Sequence, residues 1–193
     1  MTMLVGTELG LEVIGRAAIV VLKQDLNDAL SDIEAEWTVR DGQFATDMGI
    51  PAFSVELEPI PDGSFYHGRI PSLVEASVDL YPNACAFAYR AAPFADSDAD
   101  HINEFEVNLD VEVMVKSLTS EEEVNSRAQR TLEAIHRVLS ERATLDGLVV
   151  RIVNTPTVEL SDVFTRPEEL GVGTEWFWQG ARLRYMVYKP VLL

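Results

Sequence analysis

Between Glu104 and Lys116 apolar and polar residues alternate almost one for one. Phe105, Val107, Leu109, Val111, Val113 and Val115 fall on one parity, with Glu104, Glu106, Asn108, Asp110, Glu112 and Met114 on the other. Successive side chains on a strand point to opposite faces, so this period of two predicts a long strand with one buried and one solvated, acidic face. Half-buried strands of this kind are typical of antiparallel sheet. Glu175–Tyr188 repeats the pattern as a closing strand. Phe177, Ala181, Leu183, Tyr185 and Val187 share one face of it, and Trp178, Arg182, Arg184 and Met186 the other.

Two segments carry the helical period instead. From Glu8 to Trp37, Val13, Ile14, Ala17, Ala18, Val21 and Leu22 mark a broad apolar face that Leu26, Leu30 and Ile33 continue. Gly10 and Gly15 weaken its first turns, and Asp41-Gly42 is read as the turn that closes the region. Glu121–Ala143 is the second helix. Ser120, with Glu123 three residues on, forms a capping-box pattern before a stripe of Val124, Ala128, Thr131, Leu132, Ile135, Val138 and Leu139. Arg127, Arg130, Glu133, Arg137 and Glu141 are expected off that stripe.

The rest is shorter. Six prolines between Pro51 and Pro93 interrupt any long strand and leave Ala52–Glu56, Phe65–Ile70 and Ala84–Tyr89 as β candidates. Leu148–Leu160 reads as a strand weakened by Pro156, Asp162–Thr174 as a loop, and Ala91–His101 as an acidic surface loop. The predicted fold is α+β: one largely antiparallel sheet with two helices packed on its apolar face, a single domain over residues 1–193.

Charge narrows the functions open to such a chain. Its 193 residues carry 15 basic against 32 acidic side chains, a formal net charge of −17. A surface built to grip phosphate backbones needs clustered Lys and Arg, so nucleic-acid binding is not expected. With Cys85 as the one cysteine, neither an internal disulfide nor a zinc site with several thiolates from one chain is possible. The longest apolar run, Ala17–Leu22, is far too short to span a bilayer, and no membrane partner is expected.

Candidate chemistry is sparse. Glu133 and His136 have the Glu-x-x-His spacing of di-iron bundles, but the second copy and further Glu-bearing helices such a site needs are missing. Asp96, Asp98 and Asp100 begin like a calcium loop, yet His101 and Val107 stand where Gly and a bidentate Glu belong. Gly171-Val172-Gly173 precedes a strand rather than a helix, which is wrong for a phosphate loop. No nucleophile elbow is present. The expectation is a protein that is not an enzyme and holds no metal or cofactor. Trp176 and Trp178 beside Arg182 and Arg184 resemble a base-stacking platform. The preferred reading is a protein contact surface whose arginines pair with Glu106, Asp110 or Glu112 across the sheet.

The second half carries a further likeness. An alternating Glu/Val strand leads into the capped helix Ser120–Arg142, then Thr144-Leu145-Asp146-Gly147-Leu148-Val149 and a strand. After a loop comes Trp176-Phe177-Trp178-Gln179-Gly180-Ala181-Arg182-Leu183. With the N-terminal helix and Tyr81-Pro82-Asn83-Ala84 leading into a strand, the arrangement resembles the tail terminator and tail-completion proteins of long-tailed phages. That resemblance implies a virion protein made in the host cytoplasm and placed at the head-proximal end of the tail. It would form a homohexameric ring that caps the tail-tube protein, ends its polymerisation and joins it to the head-completion (neck) protein. DNA would pass through the ring without being read. On this reading Glu104, Glu106, Asp110 and Glu112 are candidates to line the lumen. Trp176, Trp178, Arg182, Arg184, Phe164 and Arg166 are candidates for subunit contacts, as are the loops Asp162–Thr174 and Ala91–His101. Two alternatives stay open: another neck component, such as a head-closure or adaptor protein, and a small α+β enzyme or ligand-binding protein.

Overall fold

The computed structural model describes residues 7–70, 81–90, 104–167 and 175–190. The expected loop at Ala91–His101, with its aspartates, and the Gly171-Val172-Gly173 stretch lie outside them. Two helices, α1 (Thr7–Met48) and α2 (Glu121–Glu141), pack on one face of a seven-stranded mixed sheet. The strands are β1 (Phe65–His67), β2 (Asn83–Arg90), β3 (Glu104–Ser117), β4 (Arg151–Ile152), β5 (Thr157–Leu160), β6 (Phe164–Pro167) and β7 (Glu175–Pro190). The order is β1-β2-β3-β7-β4, with β5 and β6 also pairing with β7. Among the described residues only β1 and β2 run parallel, and the other pairs are antiparallel. This is the expected α+β architecture.

The alternating strand sets the core. Val107, Leu109, Val111, Val113 and Val115 are all buried on the helix side, with Ala84 and Ala86 of β2 and Ala181, Leu183, Tyr185 and Val187 of β7. On α2, Ser120 accepts the Glu123 amide at 3.1 Å as N-cap, and Val124, Ala128, Leu132, Ile135, Val138 and Leu139 are buried. Each large one of these contributes about 1.5–3 kcal/mol.

α1 departs from its expected length. It runs straight through Asp41-Gly42, and the chain turns only at Gly49, whose φ is +66°. There Gly49 N–H donates to Thr46 O and Ile50 N–H to Ala45 O. This is the Schellman pattern, which satisfies the last carbonyls and favours glycine at the left-handed position. Gly15, suspected of weakening the helix, is instead what seats it. A Cβ there would lie 3.1 Å from the Phe87 Cα and 3.2 Å from the Ala86 carbonyl oxygen of β2.

The segment after α1 has no regular secondary structure, so the Ala52–Glu56 strand expectation fails. Val55, Leu57 and Ile60 bury themselves in the core, while α1 supplies hydrogen-bond partners for the backbone. Asn27 accepts from Ile60 N–H and donates to Ile60 O, and Glu34 accepts from Leu57 N–H. Of Phe65–Ile70 only three residues are strand; Gly68, at φ +97°, ends it. Leu148–Leu160 splits into β4 and β5, and part of the expected loop Asp162–Thr174 is β6.

The helices lie antiparallel, joined by opposite charges: Arg142 to Asp25, Arg137 to Glu36 and Arg130 to Asp41. Arg130, expected on the polar side of α2, is buried. Its guanidinium sits 4.7 Å above the Trp37 ring and donates to Asp41 at 2.7 Å. The Arg137–Glu36 hydrogen bonds hold the Glu36 carboxyl below its ordinary range.

Candidate functional site

With both helices on one face, the side chains that remain for function stand on the other face and along the open edge. The two central strands fix that face by register. Asp110 of β3 stands directly opposite Arg184 of β7, and Glu112 opposite Arg182. One strand further out, Glu159 of β5 is opposite Arg182.

The three carboxylates and two guanidinium groups interlock. Arg184 donates to Asp110 through Nε at 2.9 Å and Nη2 at 3.0 Å, a two-pronged arrangement that suits a planar cation and a carboxylate. Arg182 donates to Glu112 at 2.6 Å and to Glu159 at 3.1 Å, and lies 3.7 Å from Asp110. Tyr89 O–H donates to Asp110 at 3.3 Å. The hydrogen bonds to Asp110 raise the Arg184 pKa still further, and burial, seconded by the Asp110 charge, raises that of Tyr89. The expected arginine–carboxylate pairing is therefore present for Asp110 and Glu112. Glu106 sits opposite Tyr188, half-buried, and is not part of the ladder.

This pairing changes the picture of a solvated acidic strand. Asp110 is 1% exposed, and both it and Glu112 are neutralised by arginine. Glu104 opens β3 opposite Pro190. Exposed carboxylates stand instead on the helix layer, among them Asp28, Asp32, Glu121 and Glu122.

The candidate contact residues divide. Trp178 is 1% exposed and packs edge-to-face on Tyr81, with ring centroids 4.7 Å apart, so it is a core residue and not a surface contact. Trp176 is half-buried, with Lys116 Nζ 4.9 Å above its ring. Arg182 and Arg184 are spent on the ladder. Phe164 is exposed on β6 opposite Trp178, and Arg166 is placed opposite Trp176. Beside the ladder an open cavity of about 460 Å³ is lined by Arg69, Ile70, Glu112, Met114, Glu159, Ser161 and Arg182, among others. Sequence reading missed Glu159 and Ser161. Glu159 shares the parity of Thr157, but only the register of β5 on β7 carries it to the arginines.

Cys85 lies in the same face opposite Glu112, its Sγ 3.8 Å from the carboxylate. Burial, then the Glu112 charge, pushes the thiol up to about 12 from 9.0. A raised folded-state pKa adds stability that is complete below the unfolded value and is lost as pH rises toward the folded one. Between pH ~9 and ~10 the wild-type chain should lose about 1 kcal/mol of stability to this thiol alone. Cys85→Ala should flatten that stretch of a urea-denaturation series. An equal slope in both proteins would show that the thiol is not responsible.

Glu133 and His136 do not meet at one centre. Glu133 accepts from Trp37 Nε1 at 2.7 Å, and His136 Nδ1 lies 3.1 Å from the Tyr185 hydroxyl. Among the described residues no group of three or more His, Cys, Asp or Glu is placed to hold a metal ion, and no helix is long and apolar enough to cross a membrane. Comparison with protein-family models and with curated proteins gives no match for this chain.

Proposed function

We propose that this chain is a structural subunit of a phage virion. It acts as a tail terminator, forming a ring that caps the tail tube, ends its growth and receives the head-completion protein while DNA passes through. The observation that carries the reading is the open edge of the sheet. All four residues of β5 are exposed, including Val158 and Leu160 on the helix side, and Phe164 of β6 is exposed on the other face. Uncovered edges of this kind are templates for association. On the opposite face the charged groups are arranged to neutralise one another rather than to meet a ligand, as suits a surface that supports assembly. The resemblance noted in the sequence supplies the specific role. A net charge of −17 suits a channel that lets the duplex slide. With Asp110 and Glu112 paired, the helix-layer carboxylates are the better lining for it.

The test is the mass and shape of the purified protein, alone and with tail tubes, by light scattering and negative-stain imaging. Rings of about six copies, or rings at tube ends, are expected for closed head-to-tail assembly. A monomer that ignores tail tubes sinks the reading. The cavity beside Arg182 favours a second one, a ligand-binding protein. A monomer whose melting temperature rises with a small charged ligand would support that alternative.

A further inference from the structure

The sheet face away from the helices is walled on two sides. Gly68, at φ +97°, ends β1 and turns the chain across that face. Ile70 then packs on the Tyr81–Trp178 pair, and its backbone meets the Cys85 thiol of β2. Arg69, between Gly68 and Ile70, is exposed. On the other side β5 lays Glu159 along the far edge of β7, and Ser161 follows it there, bonded to Gly180. Between the walls lies the cavity of about 460 Å³, floored by Glu112 and Met114 of β3 and by Gly180 and Arg182 of β7. A water needs only about 10–15 Å³, so this space is of a size for a small molecule. Gly180 keeps the floor open, since a Cβ there would stand 3.4 Å from Ser161 Oγ and 3.7 Å from Met114 Cε.

The two walls carry opposite charge. The ladder neutralises itself incompletely: Asp110, Glu112 and Glu159 face two guanidinium groups, which leaves one negative charge over. That charge meets water at Glu159, whose side chain is 46% exposed against 23% for Glu112 and 2% for Asp110. Glu159 accepts from Arg182 through Oε2, while its Oε1 lies 3.6 Å from Arg184 without a hydrogen bond. Across the cavity, Arg69 has no carboxylate partner among the described residues. Its wall stands over β2 and Glu159 on β5, three strand spacings away in the order β2-β3-β7-β5, or about 14 Å. Ile70 and Met114 add apolar surface to the Arg69 side.

We infer that this cavity binds a small zwitterion, a short peptide with free termini. Its carboxylate rests on Arg69, its ammonium group on Glu159 Oε1 and an apolar side chain on Ile70 and Met114. The inference rests on the ligand-binding reading and deepens it; it does not depend on the ring. A simple anion would meet Arg69 but also the leftover ladder charge, and a simple cation would meet the reverse, so a ligand carrying both charges fits best. Arg69 suits a carboxylate because its planar fork donates two parallel hydrogen bonds. Two walls this far apart favour a dipeptide over a single amino acid, because each added residue extends the reach by about 3.3–3.6 Å. Arg182 stays with Glu112, to which it donates at 2.6 Å, and shapes the floor without being needed by the ligand.

The experiment is isothermal titration of the full chain with leucyl-leucine, its C-terminal amide and its N-acetyl form. The free dipeptide should bind, and each blocked form should bind roughly tenfold more weakly, as expected when one charge-assisted contact is lost. Arg69→Ala should weaken the free dipeptide by a similar factor and leave the amide unchanged, since the amide has no carboxylate for Arg69 to hold. Glu159→Gln should weaken the free dipeptide and leave the N-acetyl form unchanged. Both sites are exposed, so circular dichroism and melting should match wild type. A merely structural role for either residue would shift all three probes alike. Blocked forms that bind as tightly as the free dipeptide, or an Arg69→Ala variant that binds all three as wild type does, would overturn the inference and leave the ligand-binding reading standing. Failure of all three probes to bind also overturns it. The ligand-binding reading falls too only if inorganic phosphate and putrescine likewise leave the melting temperature unmoved.

Discussion

Arg184→Ala should destabilise the fold by about 3 kcal/mol, and more than Asp110→Ala does, although the two residues share one ion pair. The asymmetry follows from burial. Asp110 is 1% exposed, so removing Arg184 strands a carboxylate away from water with only the Tyr89 hydroxyl and the more distant Arg182 to compensate. Arg184 has a third of its side chain exposed and lies 3.6 Å from Glu159. Removing Asp110 therefore leaves a guanidinium that water and a second carboxylate can satisfy, at a cost of about 1–2 kcal/mol. Replacing both, Asp110→Leu with Arg184→Met, should return stability to within about 1 kcal/mol of wild type, because apolar packing stands in for a desolvated pair. Urea denaturation of the four proteins measures all three differences. If Asp110→Ala cost more than Arg184→Ala, the carboxylate would not be the member of the pair that depends on its partner.

How much of this ladder was legible in the sequence depends on which link of the argument is asked for. The alternation from Glu104 to Lys116 identifies the strand and puts Asp110 and Glu112 on one face, because a period of two is a property of the strand alone. That Arg182 and Arg184 would answer them follows from a matching parity on β7. That Asp110 would be buried does not follow, since burial depends on what the neighbouring strands place over it. The short strands β5 and β6 were harder. Thr157, Val158, Glu159 and Leu160 alternate, but over four exposed residues set off from β4 by Pro156, and their pairing exists only because the 16-residue β7 offers an edge long enough for three short segments. The same limit explains α1. Asp41-Gly42 and Gly49 are both plausible stops, and the Schellman bonds to Thr46 and Ala45 select the later one. Arg130 looked like a surface residue because its charge says so, but Asp41 and the Trp37 ring on that longer helix give it a partner inside the protein.

Trp178→Ala is expected to cost about 3–5 kcal/mol, the range for deleting a large buried aromatic. As a surface contact the tryptophan would instead fall within about 0.5 kcal/mol of wild type, as substitutions at exposed positions usually do. It lies on the face away from the helices, where Tyr81 closes over it edge-to-face and Ile70, Met114 and Trp176 pack around the pair in a small second core. That satellite core ties β7 to the start of β2 across β3, so its loss loosens the sheet rather than a surface feature. Trp178 Nε1 is buried without a hydrogen-bond partner, which gives a second, opposite expectation. Trp178→Phe removes volume but also removes an N–H whose burial costs about 1–3 kcal/mol, so the two effects offset and the change should stay within about 1 kcal/mol. Chemical denaturation followed by circular dichroism measures both variants independently of the lost indole fluorescence. A Phe variant as unstable as the Ala variant would mean that the indole N–H is satisfied after all, and an Ala variant as stable as wild type would return Trp178 to the surface.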